Sequence, residues 1–147
     1  MENHLSFHLR NMQAADAEAI AALSHQLGYP ASAGDLQQRI TTLISHPDHC
    51  VFVAVHQEQV VGWIHGFYSL NLESGPFVAI AGLVVDEHHR RAGIGKALID
   101  KVVEWPLAAT CGRVRVRCNS KRTESHRFYQ ALGFREAKEQ KVFEWKI

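Results

Sequence analysis

The chain has 147 residues, a length that predicts one domain, residues 1–147, able to bury about two thirds of the surface that the unfolded chain exposes. Its formal net charge of +1 excludes a strong electrostatic field for recruiting nucleic acid or an anionic membrane. Three cysteines without a Cys-x-x-Cys spacing predict reduced thiols and hence a cytoplasmic protein. No apolar run reaches the roughly eighteen residues of a membrane span, and the N-terminus predicts no signal peptide.

The N-terminal third predicts one strand and two helices. Leu5, Phe7 and Leu9 alternate with polar residues, as in a strand with one buried face. Apolar residues at helical spacing predict a helix over residues 16–27 and a second over residues 34–45. The connection between them is an ordinary helical connector or part of a ligand pocket, and the sequence leaves both interpretations open.

Two β-rich runs, residues 50–55 and 60–68, predict an antiparallel hairpin. Four side chains of the second run share one face: Val61, Trp63, His65 and Phe67. Core packing is the favoured role for the aromatic ones. Gly62 and Gly66 thin the opposite face and would let another segment approach closely.

The remaining strands are predicted at residues 77–85, 113–118 and 141–147. The first is apolar almost throughout, which is typical of a central strand, and Gly82 interrupts it where a bulge could form. Three arginines alternate along the second: Arg113, Arg115 and Arg117. They would suit a nucleic-acid module, but the near-neutral net charge favours a solvated or acid-paired sheet face, so no nucleic-acid partner is expected.

A glycine-rich stretch separates the central strand from a helix predicted over residues 94–105. It consists of Arg90, Arg91, Ala92, Gly93, Ile94, Gly95 and Lys96. A strand followed by such a turn and a helix start presents unpaired N–H groups at the positive end of the helix dipole. Because Gly93 and Gly95 lack a Cβ, the backbone can approach a phosphate oxygen while the neighbouring cations attract it. The stretch predicts a site for a phosphate-bearing ligand, with a structural strand-to-helix turn as the alternative.

Two common phosphate motifs do not fit this stretch. A Walker loop needs Ser or Thr after its Gly-Lys and a Gly five residues before the Lys, where this chain has Ala97 and Arg91. A dinucleotide fingerprint needs a third Gly and then an acid about twenty residues on, where this chain has Leu98 and the neighbourhood of Arg115. Both nucleotide folds are therefore excluded.

A second motif lies about thirty residues further on. Residues 125–134 place the pair Phe128-Tyr129 on a short helix that Gly133 closes before Phe134. Together with Arg-x-x-Gly-x-Gly after a buried strand, this resembles the GNAT N-acetyltransferase family. Arg91 stands where relatives often have Gly, and Ser125 where they often have Ala, and neither blocks a cradle of N–H groups.

The resemblance implies an α/β (α+β) fold, in which about four helices flank a mixed, mostly antiparallel central sheet of six to seven strands. It implies an acetyl-CoA-dependent N-acetyltransferase that moves an acetyl group directly to an amine of a small molecule or of a peptide or protein. It places acetyl-CoA against Leu83, Val84, Val85, Arg90, Arg91, Ala92, Gly93, Ile94, Gly95, Lys96, Asn119 and Tyr129. The strand residues in this set would contribute main-chain groups beside a splay in the sheet.

Acetyl transfer to an amine needs a proton for the departing thiolate and a group that removes the amine proton. Tyr129 matches the family tyrosine that donates a proton to the departing thiolate. Its alternative role is packing in the core as an aromatic residue. Many relatives carry an acidic residue in the central strand that removes the amine proton. Residues 77–85 contain none, which leaves Glu73 and His65 as candidates for this role.

A non-catalytic domain that binds or senses acyl-CoA is the alternative to an acetyltransferase. The histidine pairs His46/His49 and His88/His89 have no third ligand at a useful spacing, so no metal is expected. The acceptor amine is not identified, and the sequence is compatible with a homodimer as well as a monomer.

Overall fold

The computed structural model of the chain describes residues 5–117 and 123–147. They belong to two compact units, Met1–Val116 and Arg117–Ile147. None of the helices in these described ranges has the length and apolar character needed to cross a bilayer.

The first unit is built on a five-stranded sheet. Its strands are β1 (His8–Asn11), β2 (His49–His56), β3 (Gln59–Asn71), β4 (Gly75–Val85) and β5 (Val114–Val116), and they lie in this order across the sheet. Neighbouring strands from β1 to β4 are antiparallel, and β5 is parallel to β4. The predicted mixed, mostly antiparallel sheet is therefore confirmed, but the described residues form five strands rather than six or seven.

Four α-helices accompany this sheet. They are α1 (Ala17–Gln26), α2 (Ala33–Ile44), α3 (Ile94–Val103) and α4 (Pro106–Cys111). The last was not predicted, since the sequence predicted only a helix over residues 94–105 in this region. Trp105 is instead extended and Pro106 occupies the first turn of a new helix, where its missing N–H is not needed.

Close packing of α3 explains the glycines of β3. A Cβ at Gly62 would lie 3.1 Å from Cγ2 of Ile94, and one at Gly66 would lie 3.1 Å from Cγ1 of Val102. The predicted close approach of another segment is thus the approach of α3. The opposite face of the sheet carries α1 and α2 over a core of Met12, Ala17, Ile20, Ile40, Val51, Val53 and Val55, against which Trp63 packs.

The β3–β4 pair contains a bulge. His65 pairs with Gly82 and Gly66 with Ile80, so Ala81 is the extra residue. A bulge was predicted at Gly82, one position away. Such a residue interrupts the ladder and bends the strand locally.

The described part of the second unit contains one helix, α5 (Thr123–Ala131). Gly133 closes it with φ +101°, and the Phe134 N–H donates to the carbonyl oxygen of Tyr129 at 3.0 Å. This hydrogen bond, five residues back along the chain, is the mark of a glycine-terminated helix, so the predicted closure is confirmed.

The strand predicted over residues 141–147 was wrong. This segment has neither helical nor strand structure, and Val142, Phe143 and Trp145 are exposed. Alternating apolar residues indicate which side chains could share a face, but a strand also needs a neighbouring backbone to complete its hydrogen bonds. The strand predicted over residues 113–118 is present in shorter form as β5, and position 118 lies outside the described residues.

Candidate active site

The glycine-rich stretch forms a turn that ends in a helix N-terminus. Gly93 is left-handed with φ +83° and is followed directly by α3, and Arg91 is also left-handed with φ +64°. The first hydrogen bond of this turn runs from the Ala97 N–H to the Gly93 carbonyl oxygen at 3.0 Å. The N–H groups of the residues between them therefore lie outside the helical ladder, at the positive end of its dipole.

Three cations surround this helix start. Arg90 and Arg91 are exposed, and Lys96 donates to Asp100 one turn further along α3, with Nζ 2.8 Å from Oδ2. Both partners of that ion pair are exposed, so it holds Lys96 only weakly. The cluster can bind an anion with several oxygens through backbone and side-chain donors together.

The strand that leads to this cluster has one open edge. β5 pairs with β4 only at Val78–Ile80, whereas β4 continues to Val85. Within the described residues, no strand pairs with this edge of β4 after the bulge. The segment contains the predicted contact residues Leu83, Val84 and Val85, and unpaired strand backbone is a template for an extended chain.

A network of hydrogen bonds connects the residues just before the glycine-rich turn to α1. Gln26 Nε2 donates to Asp86 Oδ1 at 2.8 Å, the Glu87 N–H donates to Gln26 Oε1 at 3.1 Å, and His89 contacts the other carboxylate oxygen. Burial alone would raise the pKa of Asp86, but the hydrogen bonds from Gln26 and His89 lower it. Sequence reasoning missed these residues. Asp86 precedes a short 3-10 helix, Glu87–His89. An acidic residue at the start of a helix was the one signal in the sequence that could have identified it.

Two histidines meet beside the bulge. His65 Nε2 lies 2.8 Å from His49 Nδ1, and the rings stack with centroids 5.1 Å apart. Burial, followed by repulsion from His49, lowers the pKa of His65 to about 4. Burial and His46 also lower the pKa of His49. Both rings are therefore neutral near pH 7, and one donates the shared hydrogen while the other accepts it.

A cavity of about 590 Å³ lies between α2 and the sheet, and we call it the α2 cavity. It is lined by Met12, Ile20, Leu36, Gln38, Arg39, Ile40, Thr42, Leu43, Val51, Trp63 and His65. The wall is mainly apolar, and among the residues that the structure describes it includes the charged Arg39 and no carboxylate. The indole N–H of Trp63 is buried and has no hydrogen-bond acceptor among the described residues.

Three further predicted site residues are Glu73, Tyr129 and Asn119. Glu73 is exposed in the turn between β3 and β4, at the end of β4 that is remote from the glycine-rich turn. Tyr129 belongs to the second unit, where its ring makes edge contacts with Phe128 and Phe134 at centroid distances of 5.1 and 5.6 Å. Asn119 lies outside the described residues.

A family model described as the Acetyltransferase (GNAT) family matches residues 14–134. The match begins before α1 and ends at Phe134, so it includes the glycine-rich turn, the open edge of β4 and the closed helix α5. The chain belongs to the GNAT family. The predicted resemblance is confirmed, and with it the predicted enzyme class, an N-acetyltransferase whose donor is acetyl-CoA.

Known GNAT proteins of two kinds resemble this chain in sequence. Aminoglycoside N(6')-acetyltransferase type 1 of Stenotrophomonas maltophilia is 26% identical over 129 residues, which cover 84% of each chain. N-acetylaspartate synthetase of Danio rerio is 34% identical over 86 residues, 58% of this chain. The aligned region is 29% of that synthetase, so the similarity concerns only part of it.

Solved GNAT structures share the fold. Aminoglycoside 6'-N-acetyltransferase AAC(6')-Ih of Acinetobacter baumannii superposes with a TM-score of 0.82 and 21% identity, covering 97% of this chain and 99% of that one. AAC(6')-Iy in complex with a bisubstrate analogue, CoA-S-monomethyl-acetylneamine, has a TM-score of 0.83 and 20% identity over the same shares.

Proposed function

We propose that the chain transfers the acetyl group of acetyl-CoA to a primary amine of a small molecule. The observation that carries this proposal is the continuity of two features, the open edge of β4 after the bulge and the anion cluster at the start of α3. An extended arm with amide groups can pair with the first, while a pyrophosphate binds the second. Acetyl-CoA carries both groups in this order.

The cradle would hold the pyrophosphate through backbone donors. The N–H groups at Ile94 and Gly95 begin α3, and the left-handed Gly93 turns the chain so that they precede its first helical hydrogen bond. Arg90 and Arg91 are exposed, so they supply positive charge at the same place. Leu83 and Val85 would contribute main-chain groups only.

Two proton-transfer roles remain. We assign to Tyr129 the proton that the departing thiolate needs, on the basis of its match to the family tyrosine. For the amine proton, Glu73 is disfavoured because it precedes Gly75, the first residue of β4, and Gly82 lies about 23 Å further along that strand at roughly 3.3 Å per residue. His65, which pairs with Gly82, is the better candidate.

We also propose that the two compact units act as one acetyltransferase domain, because the family match runs through both of them. A cytoplasmic location is proposed from the cysteines: Cys50 and Cys111 are free thiols, as in a reducing compartment. A small-molecule acceptor is favoured over a protein because aminoglycoside acetyltransferases match over most of the chain.

The test is binding and turnover on one preparation. Acetyl-CoA and CoA should raise the melting temperature, and pantetheine, which lacks the pyrophosphate, should raise it far less. Release of the CoA thiol should then accelerate with at least one amine of a panel of monoamines, polyamines and aminoglycosides. Stabilisation by acetyl-CoA without turnover on any amine would favour a non-catalytic acyl-CoA sensor instead.

A further inference from the structure

His65 lies on β3 beside the point where the open edge of β4 begins. Its register partner is Gly82, next to the bulged Ala81. Facing residues of an antiparallel pair have Cα atoms about 4.5–5.5 Å apart, so the His65 backbone lies within one strand spacing of that edge. Under the proposed function, the open edge of β4 binds the extended arm of acetyl-CoA that carries the thioester. His65 is then the titratable side chain of β3 nearest to the start of this edge.

The α2 cavity makes His65 accessible to a second molecule. His65 and Trp63 form part of its wall on the sheet side, and Leu36, Ile40 and Leu43 line it on the side of α2. Burying apolar groups against such a wall is favourable, whereas a charged ammonium group there would lose its hydration without gaining a carboxylate. The cavity therefore suits an uncharged amine on an apolar body and disfavours a polycation.

A proton accepted by His65 has a route to solvent. His65 Nε2 and His49 Nδ1 share a hydrogen bond of 2.8 Å, and the ring of the exposed His46 packs edge-on to His49 with centroids 4.6 Å apart. Among residues 5–117 and 123–147, Arg39 of α2 lines the cavity, and His46 and Asp48, which precede β2, act electrostatically on His49. In the tautomer in which His65 Nε2 donates to His49, the Nδ1 of His65 is a free acceptor.

We propose that the acceptor is an uncharged primary amine whose apolar body occupies the α2 cavity, and that His65 takes its proton and passes it through His49 to solvent. This rests on the proposed function, which it deepens by naming the acceptor class and the base.

The steps balance in atoms and charge. The ammonium form loses one proton to water before it binds. The amine nitrogen then forms a bond to the acetyl carbon and loses a proton to His65 Nδ1, while His65 Nε2 passes its own proton to His49 Nδ1 and His49 Nε2 releases one to water. Proton exchange with water returns both rings to their starting tautomers before the next turnover. The carbon–sulfur bond breaks, and the thiolate takes a proton from the Tyr129 hydroxyl, which water restores. The products are an amide, the CoA thiol and one net proton.

The first experiment replaces the base. His65→Gln keeps a hydrogen-bonding side chain but cannot take the proton, so kcat with phenethylamine should fall about a hundredfold while the acetyl-CoA Kd stays unchanged. In His65→Ala, added imidazole should restore turnover in proportion to its neutral form, which a merely structural role would not produce. His8→Gln, an exposed histidine on β1, is the matched control and should behave as wild type.

The second experiment fills the cavity. Leu43→Trp should raise the KM for phenethylamine about tenfold or more by occupying its space, and Ile44→Trp, at the next and exposed position of α2, should not. Leu36→Phe is a second filling variant if Leu43→Trp does not fold. None of these three substitutions should alter the acetyl-CoA Kd.

The acceptor panel separates the two proposals. Phenethylamine turning over faster than spermidine and kanamycin supports the inference. Turnover that is confined to spermidine or kanamycin, or that survives His65→Gln unchanged, overturns it and leaves the acetyltransferase assignment standing. Failure to bind acetyl-CoA or to acetylate any amine overturns the proposed function itself.

Discussion

A Cβ added to Gly82 would lie 2.6 Å from Cη2 of Trp63 and 2.8 Å from its Cζ3. The indole of β3 thus lies over a glycine of β4, one residue from the bulge. The glycine leaves room for the ring, and the ring in turn forms part of the wall of the α2 cavity. Side-chain packing on this face is therefore coupled to the backbone edge that we assign to acetyl-CoA.

Gly82→Ala should destabilise the protein by about 1–3 kcal/mol, because Trp63 would have to leave a packed position to admit the new methyl group. Gly34→Ala is the control, since a Cβ there meets nothing within 4 Å, and a helical Gly→Ala change typically adds about 0.5–1 kcal/mol of stability. Urea unfolding of both variants measures the difference. Equal stability of Gly82→Ala and wild type would contradict this packing.

Gly93→Ala separates conformational strain from ligand binding. A Cβ at Gly93 meets nothing within 4 Å, so its cost to stability comes from φ +83° alone, roughly 1–2 kcal/mol. Gly112, which closes α4 with φ +67°, has the same open surroundings and makes Gly112→Ala a matched control.

Both variants should lose similar stability. Only Gly93→Ala should lower the affinity for acetyl-CoA, by about tenfold or more, because it disturbs the turn that presents the N–H groups. Isothermal titration with acetyl-CoA and CoA checks this. Equal cofactor affinity in the two variants would remove Gly93 from the cradle.

Local signals in the sequence were sufficient to predict the turn at which we propose that acetyl-CoA binds. The order of buried strand, glycine turn and helix is encoded within residues 77–105, and a left-handed Gly93 before Ile94 is the geometry that such a turn requires. The bulge was likewise indicated by a single glycine. These features depend on near neighbours, which is why they could be predicted.

The proposed acceptor side of the site depends on contacts that no local pattern encodes. His49 and His65 share a face because a two-residue turn with left-handed Gln57 and Glu58 begins the pairing of β2 with β3, and a register shift between Ala54 and Val55 then moves that pairing by one residue. Neither residue is the glycine or asparagine that usually signals such a turn. For the same reason the sequence could name His65 as a candidate base without finding its partner.

The half-buried His65 should make stability depend on pH. Its folded pKa of about 4 lies below the ordinary value of 6.5, so between these values the unfolded chain binds more protons than the folded one. The free energy of unfolding contributed by neutral His65 is complete above about pH 6.5 and is lost as pH falls toward 4. The lowered pKa of His49 acts in the same direction.

Urea unfolding of wild type and His65→Gln at several pH values from 7 to 4.5 measures this contribution. The wild-type stability should fall more steeply than that of the variant, and His8→Gln should follow wild type. Parallel curves for wild type and His65→Gln would mean that His65 is not held neutral by its surroundings.

Tyr129 provides the test of chemistry in the second unit. Its backbone carbonyl accepts the closing hydrogen bond of α5 and its ring contacts Phe128 and Phe134, and Tyr129→Phe retains all of these. The change removes only the hydroxyl group. Its effect on folding and its effect on proton donation can therefore be measured separately.

If the hydroxyl protonates the departing thiolate, Tyr129→Phe should lower kcat about a hundredfold and leave the acetyl-CoA Kd nearly unchanged, because the interaction strengthens only as charge develops on sulfur. If the hydroxyl is a structural anchor, the variant should lose about 1 kcal/mol of stability, and activity should fall only with the folded fraction. Tyr68→Phe on β3 is the control for removing a phenol elsewhere. Single-turnover rates, the acetyl-CoA Kd and the melting temperature decide the matter when they are measured on one preparation. Wild-type turnover per folded molecule would leave positioning of the amine as the main source of rate.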